Sequence, residues 1–169
     1  MLSGNAPSLA WEEASCRARP LFEELAREAE RTGVRLALEP TSQLRMDLSF
    51  LHGFGEALDF VDGIGSPWLG VVLEVNNAWI ERRLYDDIRA RSDRIALVQV
   101  SDFKIGTLAA NERVVPGDGD IPLARIARAL AAAGYDGWYD VELLGRAIEE
   151  EGYASVVPRA LERVRTIFR

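Results

Sequence analysis

Short runs of apolar residues recur along the chain, and longer stretches with helical periodicity lie between them. A run that is apolar at nearly every position is typical of a strand covered on both faces, as in a parallel sheet. The alternation of such runs with helical stretches favours βα units. The sequence therefore predicts four parallel strands, at residues 34–38, 69–73, 95–100 and 138–143.

The helical stretches are bounded by residues that commonly start or stop helices. A first helix is expected from Ser8 to Arg31, with a kink or restart at Pro20 and a stop at Gly33. The second predicted helix ends at Gly63. One helix is expected after each strand, over residues 53–62, 81–91, 122–133 and 155–168.

The length of the chain limits what these units can form. With 169 residues, 48% of them apolar, the chain can bury one core but not two. A complete (β/α)8 barrel needs at least about 200 residues. We therefore expect a single α/β domain over residues 1–169, a (β/α)4 half of a TIM barrel with outer helices and a leading N-terminal helix.

Charge and composition exclude several classes of function. The net charge is −7, and arginines are scattered singly among acids, which argues against a nucleic-acid partner or a membrane surface. There is no apolar run long enough for a membrane span and no signal-peptide pattern, so a cytoplasmic location is expected. The single cysteine, Cys16, is expected to pack in a helix, and the single histidine, His52, to be an ordinary surface residue.

Four oxygen-bearing side chains lie at the ends of the four predicted strands. Any one of them, taken alone, is more often a loop residue that makes hydrogen bonds. The carboxyl ends of parallel strands meet at one rim, however, and crowded carboxylates raise each other's pKa unless a cation neutralises them. Oxygen ligands without thiolate or imidazole favour Mg²⁺ or Mn²⁺ over Zn²⁺. The predicted metal ligands are Glu39, Glu74, Gln99 and Glu142.

Six short segments lie around these strand ends: LEP at 38–40, LEVNN at 73–77, QVSD at 99–102, RVVPGDG at 113–119, GYDG at 134–137 and VE at 141–142. In that order they resemble the C-terminal half of the sugar phosphate isomerases/epimerases, whose fold is a xylose isomerase-like TIM barrel. That superfamily includes ketose epimerases, hydroxypyruvate isomerase, inosose dehydratases and an apurinic endonuclease branch.

The resemblance implies roles for the strand-end residues. Glu39 and Glu142 correspond to metal ligands that also serve as the catalytic acid and base. Glu74 stands where the family usually has Asp, and Gln99 replaces a commoner His ligand, although hydroxypyruvate isomerases also use Gln. These two replacements leave a metal site of oxygen donors in place.

Three further residues are implied to contact substrate. Asn77 stands where the family usually has a His that touches substrate, and Arg113 resembles the arginine that binds a substrate hydroxyl or carboxylate. Asp102 is expected to orient Gln99 or a substrate hydroxyl. Trp79 is expected either to stack on a sugar face or to pack in the core.

The implied activity is that of a divalent-metal-dependent isomerase or epimerase for a small sugar or polyol-derived substrate, working through an enediolate. An inosose-type dehydratase is the alternative chemistry, and the motifs do not choose between them. The endonuclease branch is excluded because it needs several histidines and a basic face. A different class of function is a non-catalytic half-barrel that keeps only the metal.

The predicted sheet has two open edges, which natural proteins cover, pair or abolish. Two chains could associate as a homodimer that completes the barrel, or the chain could lack an N-terminal half. We expect the second of these, and the sequence holds no direct indication of either.

Overall fold

Four strands lie side by side in one sheet, in the same order as in the chain. In the computed structural model, which describes residues 1–6, 8–109 and 111–169, each neighbouring pair of strands is parallel. The strands are β1 (Leu36–Leu38), β2 (Leu69–Glu74), β3 (Ile95–Val100) and β4 (Trp138–Val141).

Helices connect the strands and follow the predicted order. None of the described helices is both long enough and apolar enough to cross a membrane. The helices are α1 (Trp11–Thr32), α2 (Phe54–Ile64), α3 (Val75–Ala78), α4 (Leu84–Arg91), α5 (Leu123–Ala132), α6 (Arg146–Glu151) and α7 (Tyr153–Ile167).

One face of the sheet packs against the helices and forms the core. Leu38, Val71 and Val98 are fully buried and belong to one hydrophobic cluster with Phe54 of α2 and Ile126 of α5. Burial stabilises each such side chain by about 1.5–3 kcal/mol. This layer therefore fixes the positions of the strand ends, where the candidate site lies.

The opposite face of the sheet is open along β4 but buried along β2. Leu97 pairs with Trp138, and Gln99 pairs with Asp140. These residues alternate with the core positions, so they lie on the face away from the helices. Trp138 is 82% exposed. In a closed barrel this face lines the interior, and the prediction of a (β/α)4 half-barrel with outer helices and a leading helix is confirmed.

The N-terminal residues run along the free edge of β1. The amino group of Met1 donates to the carbonyl oxygen of Ala37 at 2.7 Å, and the N–H of Glu39 donates to the carbonyl oxygen of Met1 at 2.9 Å. Further along, the Ser3 and Ser49 hydroxyl oxygens are 2.5 Å apart. These hydrogen bonds occupy part of the free edge of β1, which was predicted to be open.

Some predicted helix boundaries are wrong. The helix α2 passes through Gly63 and ends at Gly65, which has φ 75° and donates its N–H to the carbonyl oxygen of Val61 at 3.0 Å. The left-handed backbone of Gly65 ends the helix. Gly63 keeps a helical φ, so the helix continues through it. Pro20 lies inside α1, which is continuous from Trp11 to Thr32.

Other differences have local causes. The helix α4 begins at Leu84 and not at Glu81. The carboxylate of Glu81 instead accepts the N–H groups of Phe54 at 2.6 Å and Gly55 at 3.1 Å, at the start of α2. The short helices α3 and α6 were not predicted as separate elements. Cys16 is exposed and does not pack in the core, so that expectation was wrong.

Candidate metal and substrate site

A cavity of about 280 Å³ lies at the carboxyl ends of the strands. Four of the residues that the sequence singled out line this cavity: Glu39, Asn77, Arg113 and Glu142. Three of them lie in loops that follow or flank the strands, and Asn77 lies in α3 directly after β2, as expected where the ends of parallel strands meet. The tertiary structure therefore brings most of the predicted site together.

Glu74 is the most deeply buried acid of the site. It is the last residue of β2 and the residue that caps α3, and only 1% of its surface is exposed. Its carboxylate accepts the N–H of Asn76 at 3.1 Å and the N–H of Asn77 at 2.9 Å. The strand-to-helix turn thus holds this carboxylate in one orientation, pointing away from solvent.

Arg113 joins the carboxylates of two strands. Its Nη1 lies 3.1 Å from Glu74 Oε1 and 2.6 Å from Glu142 Oε2, and it also donates to the Ser101 hydroxyl at 3.3 Å. The backbone of Arg113 is held by a bond from its N–H to the carbonyl oxygen of Leu144 at 2.9 Å. A buried guanidinium, 7% exposed, therefore provides the positive charge that the buried acids require.

The environment raises the pKa of two of these acids. Burial raises the pKa of Glu74 to about 7, against the opposing effects of Arg113 and the two backbone N–H donors. For Glu39, burial is again the main cause of a raised pKa, and the negative charge of Glu142 adds to it. A carboxyl group whose pKa is raised to about 7, as that of Glu74 is, can both accept and return a proton near neutral pH.

Gln99 lies opposite Glu74 in the sheet register. Its side-chain oxygen, Oε1, is buried and has no hydrogen-bond donor among the described residues. A buried acceptor without a partner costs roughly 1–3 kcal/mol. This oxygen is therefore open to a cation or to a donor group that enters the site.

The residues of the rim fit a hard divalent cation in their chemistry. Glu39, Glu74, Gln99 and Glu142 offer oxygen donors alone, as Mg²⁺ and Mn²⁺ prefer, and the Gln99 oxygen has no other partner. Within the described residues, no three His, Cys, Asp or Glu side chains are grouped so that they could hold a metal ion. In the present arrangement Arg113 lies between two of the acids.

Asp102 does not reach the cavity. It is fully buried, and its two carboxylate oxygens accept four backbone N–H groups, from Phe103, Gly117, Gly119 and Ile121, at 2.8, 2.8, 3.1 and 3.0 Å. The residue organises the loop that follows Arg113, and a side chain at Gly119 would collide with it. Sequence reasoning missed this role, although the paired glycines at 117 and 119 were a signal for close backbone approach.

A second cavity of about 500 Å³ adjoins the first and shares Ser42 and Asn77 with it. The rings of Trp79 and Phe103 line it, with their centres 6.4 Å apart. His52, expected to be an ordinary surface residue, also lines this cavity, with its Nδ1 3.1 Å from the carbonyl oxygen of Thr41. Aromatic side chains together with a few polar groups are a common lining of small-molecule pockets.

Together, the parallel sheet, the outer helices and the carboxylate-rich rim define one part of an α/β barrel with a polar site at the strand ends. The chain belongs to the family described as xylose isomerase-like TIM barrel, whose model matches residues 2–163. The superfamily resemblance drawn from the motifs is thereby confirmed.

Two curated relatives are similar over most of the chain. A D-psicose 3-epimerase of Enterocloster bolteae is 33% identical over 115 residues, which are 68% of this chain and 35% of that protein. An inosose isomerase of Halalkalibacterium halodurans is 30% identical over 124 residues, which are 71% of this chain and 43% of that protein. The chain thus spans less than half the length of these relatives.

Solved structures show the same fold. The protein SMc04130 of Sinorhizobium meliloti 1021 matches with a TM-score of 0.86 and 26% identity, over 97% of this chain and 62% of that one. The IolI protein, solved with a bound zinc atom, matches with a TM-score of 0.82 and 22% identity, over 98% of this chain and 60% of that one.

Proposed function

We propose that this chain carries the metal-binding and proton-transfer residues of a sugar epimerase or isomerase. Its relatives include a D-psicose 3-epimerase and an inosose isomerase, which supports a small sugar or polyol-derived substrate. The observation that carries the proposal is that Glu39 and Glu142, from the first and last strands, line one small cavity together with Arg113.

In this proposal the acids of the rim have two tasks. Glu39, Glu74, Gln99 and Glu142 would hold Mg²⁺ or Mn²⁺, which when bound supplies a Lewis acid for the substrate carbonyl. Glu39, whose pKa is raised by burial and by Glu142, takes the proton from the carbon next to that carbonyl. Glu142 returns a proton from the other side of the cavity.

The place where the proton returns sets the product. Return to the opposite face of the same carbon gives epimerisation, and return to the neighbouring carbon of the enediolate gives isomerisation. Asn77 and Arg113 line the cavity, and in this proposal they contact substrate hydroxyls. Asp102 acts indirectly in this proposal. Its carboxylate accepts four backbone N–H groups and so holds the loop after Arg113.

The sequence favoured a missing N-terminal half over a homodimer, but because of the exposed face along β4 we propose further that a second copy of the chain covers this face. Trp138 is 82% exposed there, beside Leu97 and Asp140, and an open face of this kind is unusual in an isolated domain. Two half-barrels related by a two-fold axis along the barrel would bring the two open faces together. Analytical ultracentrifugation tests this proposal, which predicts a dimer at micromolar concentration and fails if the protein is monomeric.

The proposed activity is tested by exchange of a substrate hydrogen. The wild-type protein with Mn²⁺ is incubated in D₂O with ketoses, hydroxypyruvate and inososes, and deuterium uptake at carbon is followed by NMR. We expect uptake from at least one substrate, and loss of uptake in Glu39→Gln and Glu142→Gln. The matched control is Glu149→Gln, because Glu149 is an exposed acid of α6.

The outcome separates two functions. Uptake that persists in both rim variants contradicts the proposed acid–base pair. Tight Mn²⁺ binding by the wild type, lost in both rim variants and unaccompanied by uptake from any substrate, would instead identify a metal-binding half-barrel without turnover. The wide difference in length between this chain and its curated relatives makes that second outcome worth measuring directly.

A further inference from the structure

The guanidinium of Arg113 makes an unusual set of contacts. An arginine that pairs with carboxylates commonly uses two nitrogens in a fork. Here a single nitrogen, Nη1, contacts Glu74 Oε1 at 3.1 Å, Glu142 Oε2 at 2.6 Å and the Ser101 hydroxyl at 3.3 Å. Nη1 has two hydrogens for these three acceptors, so it serves as a point of positive charge.

The rest of the site shows that this arrangement leaves bonds unmade. The Nε of Arg113 is buried without an acceptor among the described residues, and the Oε1 of Gln99 is buried without a donor. Both atoms lie in side chains that take part in the rim. A buried donor and a buried acceptor that remain unpaired each lower stability, which favours a second arrangement in which they find partners.

We propose that Arg113 takes the place of the divalent cation when no metal is bound, and that metal binding displaces its guanidinium into the cavity towards substrate. The inference rests on the proposed metal site. It goes beyond that site because it gives Arg113 two roles. Arg113 neutralises the acids when no metal is bound, and its guanidinium moves towards substrate when metal binds.

The electrostatics of the rim require this exchange. Glu74 is almost fully buried, and an ionised acid at that depth needs a cation close by. A divalent ion that contacts Glu74 and Glu142 would meet the positive charge of Arg113 at the same point, and two cations repel strongly where water is excluded. One of them must leave the position.

The structure also contains an adjoining cavity into which the guanidinium can rotate. The backbone of the segment is fixed, because Arg113 donates to the carbonyl oxygen of Leu144 and the neighbouring Val114 exchanges two backbone bonds with Asp102. Only the side chain needs to rotate. Asn77 also lines the cavity of about 280 Å³ that Arg113 lines. A substrate hydroxyl is expected to contact Asn77.

Arg113→Met tests the exchange, because methionine keeps an unbranched apolar stem and removes the charge. Mn²⁺ binding is measured by calorimetry, and thermal unfolding is measured in EDTA. We expect the metal-free melting temperature to fall by about 4 °C or more, since Glu74 loses its cation, and Mn²⁺ affinity to rise by about tenfold or more. Arg113→Lys is the control, and we expect its affinity to stay within about threefold of wild type, since it keeps a positive charge.

The outcomes separate this inference from the proposed metal site. If the wild type binds Mn²⁺ and Arg113→Met binds it no more tightly, the exchange is overturned and the metal site stands. If only Arg113→Met binds Mn²⁺, Arg113 blocks the site in the wild type and the exchange is overturned. If neither binds, both proposals fail.

A measurement on the wild-type protein covers the case in which Arg113→Met does not fold. With isotope-labelled arginine, the guanidinium N–H signals of Arg113 are followed by NMR while Mg²⁺ is added. We expect the signals to shift and their exchange with water to quicken as the guanidinium leaves the buried position. Signals that stay unchanged while Mg²⁺ binds would overturn the proposal.

Discussion

Glu74 and Gln99 are paired in register on neighbouring strands, yet their side-chain oxygens differ in their hydrogen bonding. The carboxylate of Glu74 accepts two backbone N–H groups and the Arg113 guanidinium, whereas the side-chain oxygen of Gln99 has no donor among the described residues. The carboxylate of Glu74 is held by protein donors, and the side-chain oxygen of Gln99 is not. Mutation should therefore affect the two residues in different ways.

Glu74 should make the stability of the metal-free protein depend on pH. Its pKa is about 7 in the folded protein and about 4.3 in an unfolded chain. Between these values the folded state binds a proton that the unfolded state has released. The free energy of unfolding should therefore fall as pH rises through this window, by about 4 kcal/mol in total, and level off above pH 7.

Urea unfolding of wild type and Glu74→Gln in EDTA, from pH 4.5 to 8, isolates this effect because the variant lacks the titrating group. The stability of the wild type relative to Glu74→Gln should decrease over the window. A difference that is constant, or that grows with pH, would contradict the raised pKa.

Gln99→Met should separate metal binding from stability. Removal of a buried oxygen that has no partner should leave the metal-free protein as stable as wild type, or more stable by up to about 1 kcal/mol. Loss of one oxygen ligand should weaken Mn²⁺ binding by about tenfold or more. Calorimetry and urea unfolding measure the two quantities.

The control is Gln43→Met, since Gln43 is the other glutamine of the chain and is exposed. We expect it to leave Mn²⁺ affinity unchanged. Unchanged affinity in Gln99→Met would remove Gln99 from the proposed ligand set.

Asp102→Asn should loosen the loop that follows Arg113. An amide group in place of one carboxylate oxygen faces backbone N–H donors from Gly117, Gly119 or Ile121, so two donors oppose each other. We expect a loss of about 2–4 kcal/mol, together with faster proteolysis at residues 115–121. Asp136→Asn, at an exposed position, is the control and should behave as wild type in both assays.

Trp138→Glu should weaken the proposed self-association. The side chain is 82% exposed in the single chain, so its replacement should change the melting temperature of the monomer by no more than about 2 °C. A charge buried in the interface should raise the dimer dissociation constant by about a hundredfold or more. Sedimentation of wild type, Trp138→Glu and Leu108→Glu measures it.

Leu108 is 91% exposed and lines the second cavity rather than the open face of the sheet, so Leu108→Glu should associate as wild type does. Equal dissociation constants for wild type and Trp138→Glu would place any dimer contact elsewhere.

The strands were predictable where their signal is local. The run at Ile95–Val100 is apolar at nearly every position and appears in the structure with the predicted bounds. Helix ends were less predictable, because Gly63 and Gly65 are the same residue type and only Gly65 adopts the left-handed backbone. Glu81 looked like part of a helix, yet its carboxylate caps a helix 26 residues earlier in the chain.

The sequence by itself determined the half-barrel and the residues of the rim. Apolar periodicity and the polar residue at each strand end are local features, and parallel strands necessarily bring those ends to one edge. Only the tertiary structure decided how the rim is neutralised, with Arg113 between Glu74 and Glu142 and Asp102 turned to the backbone. Such partners depend on distances across the fold and on burial, which no single stretch of sequence contains.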